Sequence, residues 1–152
     1  MAITSISLMD TSISSVSSAT FVFTSFFDLE VGEVGIVFVA ADNVSTTDGD
    51  NSEASGVSDT VGNTWVKIGE YTNGNGSAAA GVTVTAWMTN ATVQIPSLTD
   101  ITLTWGTARA DQAGHFYKVS ASAALQLAQA PTVNATDAST GFGSLSISGL
   151  SS

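Results

Sequence analysis

Apolar and polar residues alternate along much of this chain with the two-residue period of β-strands. Between residues 81 and 89 one face of the segment is apolar, carrying Val82, Val84, Ala86 and Met88. The opposite face carries Thr83, Thr85, Trp87 and Thr89. Residues 101–105 alternate in the same way, with Thr102 and Thr104 on one side. The pattern predicts half-buried strands whose outer faces are rows of threonine.

A different pattern marks residues 32–41, which form a continuous apolar run rich in β-branched side chains. Such a run is typical of a central strand covered on both faces. Turn residues separate the strands, and Asn73-Gly74 is the strongest of these signals, because both residue types tolerate positive φ. We therefore expect residues 64–72 and 81–89 to form an antiparallel hairpin. If its pairing is symmetric about Gly76, Trp65 faces Trp87.

These features together predict an all-β fold, an antiparallel β-sandwich or jelly roll with Ser/Thr-rich terminal segments. We predict a Ser/Thr-rich N-terminal arm or edge strand at 1–20, a β-sandwich domain at 21–128 and a C-terminal segment at 129–152. The C-terminal segment ends in alternating Ser and apolar residues. It is the last strand of the sheet, or pairs with a neighbouring subunit, or belongs to a longer natural chain.

Composition narrows the range of partners. Ser and Thr supply 42 of the 152 residues, charged residues are only 11%, and the net charge is −10. Such an excess of acids argues against nucleic acid and against an anionic membrane surface as partners. The absence of cysteine excludes disulfides and thiolate chemistry. The N-terminus shows no signal-peptide pattern and no run of 18 apolar residues occurs, so we expect neither secretion by that route nor membrane insertion.

Four acids lie within twelve residues and suggest a cation site: Asp42, Asp48, Asp50 and Glu53. Ca²⁺ prefers six to eight oxygen ligands, which these carboxylates and loop carbonyls could supply. Their spacing is not that of an EF-hand, and the simpler alternative is a solvated acidic loop. Calcium is the one cofactor that the sequence suggests, and none is required. Ten of the 13 acids precede residue 71, which would favour docking on a basic surface or serve solubility alone.

The aromatic residues offer apolar contacts. Trp105 shares a face with Ile101 and Leu103, which predicts a core position. Trp65 and Trp87 instead lie on the more polar faces of their strands. Three alternatives follow for these two indoles: a subunit interface, a face covered by another part of the chain, or a stacking platform for a sugar. Phe116 completes the set of residues that we predict to form interface contacts.

Residues for catalysis are scarce. His115 is the only histidine, and the nucleophile, phosphate-binding and zinc-protease motifs are missing. A glycosidase would need a paired acid and base, for which Asp48 and Asp50 are the nearest candidates, but no cleft-forming sequence accompanies them. We therefore predict that the chain is not an enzyme.

One stretch resembles a known family. The segment Val57–Trp65 reads Val-Ser-Asp-Thr-Val-Gly-Asn-Thr-Trp and is followed by a Gly/Asn-rich hairpin tip at 73–76. With the acidic loop before it, this combination resembles a β-rich module of bacteriophage virion structural proteins, over residues 32–117. The resemblance implies a capsid decoration, head-fibre or tail-associated protein, often oligomeric, with no catalytic residues to transfer.

On this basis we expect a virion protein, synthesised in the host cytoplasm, that acts by self-assembly and docking on the particle. Its partners would be further copies of the chain, as a trimer or lattice, and other virion proteins. The alternative is a glycan-binding adhesion module of a phage fibre, whose partner is a surface glycan held by the tryptophan pair.

Overall fold

The computed structural model describes residues 3–122 and two further short strands. Every regular element in this part of the chain is a β-strand, as the sequence predicts. The strands are β1 (Ile3–Ser14), β2 (Ser18–Thr24), β3 (Val34–Asp42), β4 (Ala54–Asp59), β5 (Val66–Asn73), β6 (Val82–Asn90), β7 (Asp100–Arg109), β8 (Gln112–Ala121), β9 (Thr132–Asn134) and β10 (Ser144–Ser146).

Eight of these strands form two antiparallel sheets that pack against each other. The larger sheet has the order β1-β8-β3-β6-β5, and the smaller has the order β2-β7-β4. β9 and β10 pair only with each other. The predicted β-sandwich is therefore confirmed.

The space between the two sheets is filled largely by aromatic side chains. Phe21 and Phe23 of β2 meet edge to face at 5.0 Å, and Phe23 lies 6.4 Å from Phe116 of β8. Trp105 of β7 is only 2% exposed, so its predicted core position is confirmed. Burying one such side chain contributes about 1.5–3 kcal/mol, which makes this cluster the main source of cohesion between the sheets.

β3 lies at the centre of the larger sheet, between β8 and β6, as predicted. Its two faces are unequal. Val37 and Val39 are fully buried against the smaller sheet, whereas Ile36 and Phe38, on the opposite side, are only half-buried. The outer side is covered only in part, since Val34 on the same side is 1% exposed while the residues that follow it there are half-buried.

β5 and β6 form the predicted hairpin with a different register. Lys67, not Trp65, faces Trp87, and a bulge at Ile68 shifts the pairs that follow. The predicted symmetry about Gly76 fails because the loop at 74–81 is not a symmetric tip: its ends are held by the buried amide of Asn43.

In β6 the buried and exposed faces are the reverse of those predicted. Thr83 and Thr85 are buried in the sandwich, whereas Val82 and Val84 are 40% and 43% exposed. The reason is Trp87, which shares the threonine face and places its indole in the core. On β7 the prediction is confirmed, because its threonines lie on the outer side of the smaller sheet.

The N-terminal segment is part of the sandwich. Residues 3–14 form the edge strand β1 and residues 18–24 enter the smaller sheet, so the edge-strand alternative applies and the sandwich begins before residue 21. The prediction for the C-terminal segment at 129–152 lies outside the described residues, apart from the short strands β9 and β10.

Candidate functional site

The motif that carries the family resemblance forms a structural corner. The carboxylate of Asp59 accepts hydrogen bonds from the backbone N–H groups of Val61, Gly62 and Asn63, all to Oδ1, at 2.7–3.1 Å. Its Oδ2 accepts the indole N–H of Trp65 at 2.9 Å. The spacing of Asp, Gly, Asn and Trp is thus explained by one carboxylate that closes the turn after β4.

The four acids of the predicted calcium site are held by different partners. Asp48 accepts the N–H of Gly74, and Asp42 accepts the N–H of Ala110. Asp50, whose side chain is 48% exposed, forms an ion pair with Lys67, whose side chain is 27% exposed. Glu53 pairs with Arg109. Within residues 3–122 no three acidic or histidine side chains converge on one point. The predicted calcium site is therefore not formed by these residues.

Glu53 and Arg109 form a buried ion pair inside the sandwich. The Arg109 Nη2 atom donates to Glu53 Oε2 at 2.8 Å, and Nη1 donates to the carbonyl of Asp42 at 2.7 Å. The guanidinium lies 5.0 Å from the ring centre of Trp105. Burial alone would raise the pKa of Glu53, but hydrogen bonds from Thr83 and the Ser45 N–H, with the Arg109 charge, lower it below its usual value.

A second carboxylate completes this polar part of the core. Glu70, on β5, is 4% exposed and accepts the backbone N–H groups of Glu53 and Ala54. These bonds fix the entry of β4 against β5. The cluster of Glu53, Glu70 and Arg109 thus connects the acidic loop to the two sheets. The spacing of these residues in the sequence does not reveal this role.

The three residues predicted as interface contacts are buried instead. Trp65 and Trp87 are 8% and 9% exposed, and Phe116 is fully buried. The Trp87 indole donates to Thr85, and the Trp65 ring lies 6.2 Å from Phe116. The alternative of a covered face is correct. Neither an interface nor a sugar-stacking platform is available from these indoles, because both are packed in the core.

The largest unusual surface is the side of the five-stranded sheet that faces away from the smaller sheet, here called the outer face. β-strand alternation assigns its residues from the neighbours of the core side chains Val37, Trp87 and Phe116. On the three central strands the outer face includes Val34, Ile36, Phe38, Ala40, Val82, Val84, Ala86, Met88, Ala113, His115, Tyr117 and Val119. Of these, Val34, Ala86 and Val119 are buried, so the end of the face near Val34 is covered.

The outer face continues onto both edge strands. β1 adds Ile6, Leu8 and Ile13, which are 64%, 47% and 80% exposed, and β5 adds Val66, which is 55% exposed. An antiparallel sheet with one solvated face normally places polar residues there. Here the solvated face is apolar, although the chain carries a net charge of −10. The charged residue that the pairing places on this face is Asp42, at the end of β3, and its carboxylate binds Ala110.

Aromatic contacts order the middle of the outer face. The ring of Phe38 meets that of Tyr117 edge to face at 6.1 Å, and His115 lies 6.0 Å from Tyr117. The imidazole Nδ1 is 3.0 Å from the hydroxyl of Thr11. These side chains are positioned by their neighbours and need little ordering when a partner covers them.

An open groove of about 440 Å³ lies beside β1 and is lined by Leu8, Met9, Asp10, Thr11, Phe26 and Phe27. Phe26 and Phe27 are 62% and 60% exposed. Leu8 belongs to both the groove and the outer face. The apolar surface therefore continues around the free edge of the sheet.

The sequence missed the outer face because it assigned β6 the wrong side. Trp87 is the residue that indicates the correct side. Its large indole favours the core, so the threonines that share its face lie inside and the valines lie outside.

The fold and this surface define the described part of the chain as an antiparallel β-sandwich whose larger sheet has an apolar, partly exposed outer face. No family model matches the chain, and neither the curated proteins nor the solved structures gave a match. The described residues contain no helix that could cross a membrane.

Proposed function

We propose that this chain is a structural module that works by associating with other molecules through the outer face. The observation that carries the proposal is the apolar character of that face across five strands. An exposed apolar surface of this extent marks an interaction site in soluble proteins. Its exposed members include Ile6, Leu8, Val66 and Val84, all on strands rather than on mobile tips.

The kind of assembly that we propose is a phage virion, with the chain as a capsid decoration, fibre or tail-associated protein. This part rests on the resemblance at Val57–Trp65. The corner that Asp59 builds there gives the motif a structural purpose, which is consistent with a shared module.

Fractionation of particles tests this function. Lysates from cells that carry the gene are separated on a density gradient, and an antibody raised against the purified chain is used to probe the fractions. We expect the chain to migrate with assembled particles.

A matched pair of variants makes the test specific to the outer face. Val84, on that face, is 43% exposed, and Val22, on the smaller sheet, is 39% exposed. We expect the Val84→Lys chain to be absent from the particle fractions and the Val22→Lys chain to be present in them. A chain found wholly in the soluble fractions, with or without the substitutions, would contradict the proposed function.

A further inference from the structure

We propose that the outer face is covered by the same face of a second copy of this chain, the two sheets stacking face to face. The proposal rests on the proposed function, because it names the partner of the same surface. It is carried by the shape of the face, its lack of charge and its area.

Three rows of side chains cross β8, β3 and β6 in the observed register. The middle row is His115, Phe38 and Ala86. The row toward the acidic loop is shallow, consisting of Ala113, Ala40 and Val84. The row on the other side is tall, consisting of Tyr117, Ile36 and Met88. The two rows that flank the middle row therefore differ in height, one being low and the other high.

The edge strands close the sides of the shallow row. Ile13 of β1 lies next to Ala113, and Tyr71 of β5 lies next to Val84. These two larger side chains make the shallow row a trough. Its width matches the tall row, since both span the same three strands.

A twofold axis along the middle row brings the tall row of each copy into the trough of the other. Such an interface is isologous, because each contact occurs twice. Met88 of one copy packs on Val84 of the other, and the middle row packs on itself. Stacked sheets lie about 10 Å apart with strands within about 30° of each other, a spacing that these side chains fill.

Charge and area both fit a second copy. The chain is acidic, yet among the residues that the structure describes the pairing gives this face one charged side chain, Asp42 at its margin. Two copies therefore meet there without opposing like charges. Without the buried row of Val34 and Val119, five strands and four rows span about 19 by 20 Å, or about 400 Å² per copy. Two copies thus bury about 800 Å², the size of a weak and transient interface, and we expect a dissociation constant of about 10–100 μM.

Sedimentation of the purified full chain is the first test. We expect a monomer–dimer equilibrium in this concentration range. Val84→Lys should weaken it about 100-fold, because the new ammonium is desolvated without a partner. Val22→Lys, the matched control on the smaller sheet, should leave it unchanged. Circular dichroism of both variants verifies that they are folded.

Cross-linking tests the arrangement of the two copies. Because the chain has no native cysteine, only the introduced cysteines can react. A short bismaleimide should join His115→Cys chains to each other, because His115 lies on the axis. Val84→Cys chains alone should stay unlinked, since their two positions are far apart. A mixture of Val84→Cys and Met88→Cys chains should give a cross-linked pair.

Two results would overturn the inference. One is a chain that stays monomeric at all concentrations, both in its original form and as Val84→Lys. The other is a monomer in which Val84→Cys is protected from maleimide, because the chain itself would then cover the face. In either case the particle fractionation still decides the proposed function, which also allows docking on a different protein.

Discussion

Asp59 is the residue that most directly links the sequence motif to the fold. A single carboxylate satisfies three backbone N–H groups and the Trp65 indole. These donors belong to a turn that has no strand partners of its own. Without the acceptor, the turn and the indole must find water or stay unpaired, which costs free energy in proportion to their burial.

We therefore expect Asp59→Ala to lower the free energy of unfolding by about 2–4 kcal/mol. Urea denaturation followed by tryptophan fluorescence measures it, since the Trp65 environment changes as well. Asp100→Ala is the control, because that carboxylate accepts only the Thr24 hydroxyl at an exposed site. Equal stability of the two variants would show that the corner is not held by Asp59.

Gly81 lies where backbone approaches backbone. A Cβ atom added there would be 1.8 Å from the carbonyl oxygen of Asn73, a distance that no side-chain adjustment relieves. We expect Gly81→Ala to cost about 2–4 kcal/mol, because the end of the β5–β6 hairpin must shift.

Gly56 provides the comparison, since nothing lies within 4 Å of an added Cβ atom. Gly56→Ala should change the unfolding free energy by less than about 0.5 kcal/mol. Thermal melts of both variants measure the difference. Similar melting temperatures would contradict the close packing of the loop at 74–81.

At the level of elements, β6 shows how far a strand pattern can be interpreted. Strict alternation correctly predicted the strand and its antiparallel partner β5. It did not predict which face is buried, because hydropathy favours valine inside and threonine outside. The indole of Trp87 is larger than either valine, and the threonine hydroxyls of its face find acceptors within the sandwich.

The buried threonines of β6 consequently contribute hydrogen bonds to the core. Thr83 donates to Glu53 and shares a hydrogen bond of 3.0 Å with Thr72. Thr83→Val keeps the shape of the side chain and removes both contacts. We expect a loss of about 1–2 kcal/mol, because Thr72 and Glu53 are left in the core with one partner fewer.

Thr102→Val is the control on β7, where the threonine is half-exposed on the outer side of the smaller sheet. It should change stability by less than about 0.5 kcal/mol. Chemical denaturation of both variants decides the matter. A stabilised Thr83→Val variant would mean that the threonine face is poorly satisfied, contrary to the observed bonds.

At the level of the whole molecule, the carboxylates with lowered pKa link stability to pH. Burial would raise the pKa of Glu33, Asp50 and Glu53, but their hydrogen bonds and cationic partners lower each below its usual value. A carboxylate whose pKa is lowered in the folded state stabilises the fold at pH values above its unfolded pKa of about 4. This contribution is lost as the pH falls through the folded-state pKa.

We expect the melting temperature to be nearly constant from about pH 7 to 5 and to fall steadily below about pH 4.5. Glu53→Gln should be less stable at neutral pH, because Arg109 loses its counter-charge, and should show a shallower acid slope. Calorimetry across this range measures both effects. A melting temperature that stays constant down to pH 3 would contradict the assignment.

The sequence predicted the class of fold, the central position of β3 and the β5–β6 hairpin, because local periodicity and turn residues determine them. It did not predict the register, which depends on how Asn43 holds the distant loop. It did not find the pairing of Glu53 with Arg109, which are 56 positions apart. The acids were grouped by sequence distance, whereas the fold separates them by giving each its own donor.

The pairing of β1 with β8 has a consequence for how the protein is made. Ile3 pairs with Ala121, and Ser14 with Gln112, so β1 leaves the ribosome long before the strand that it pairs with. Contacts between such distant positions slow folding, since a long loop must close first. During synthesis the β8 edge of β3 and one side of β1 remain unpaired. Completion of the large sheet, and with it the outer face, must therefore wait until β8 has been synthesised.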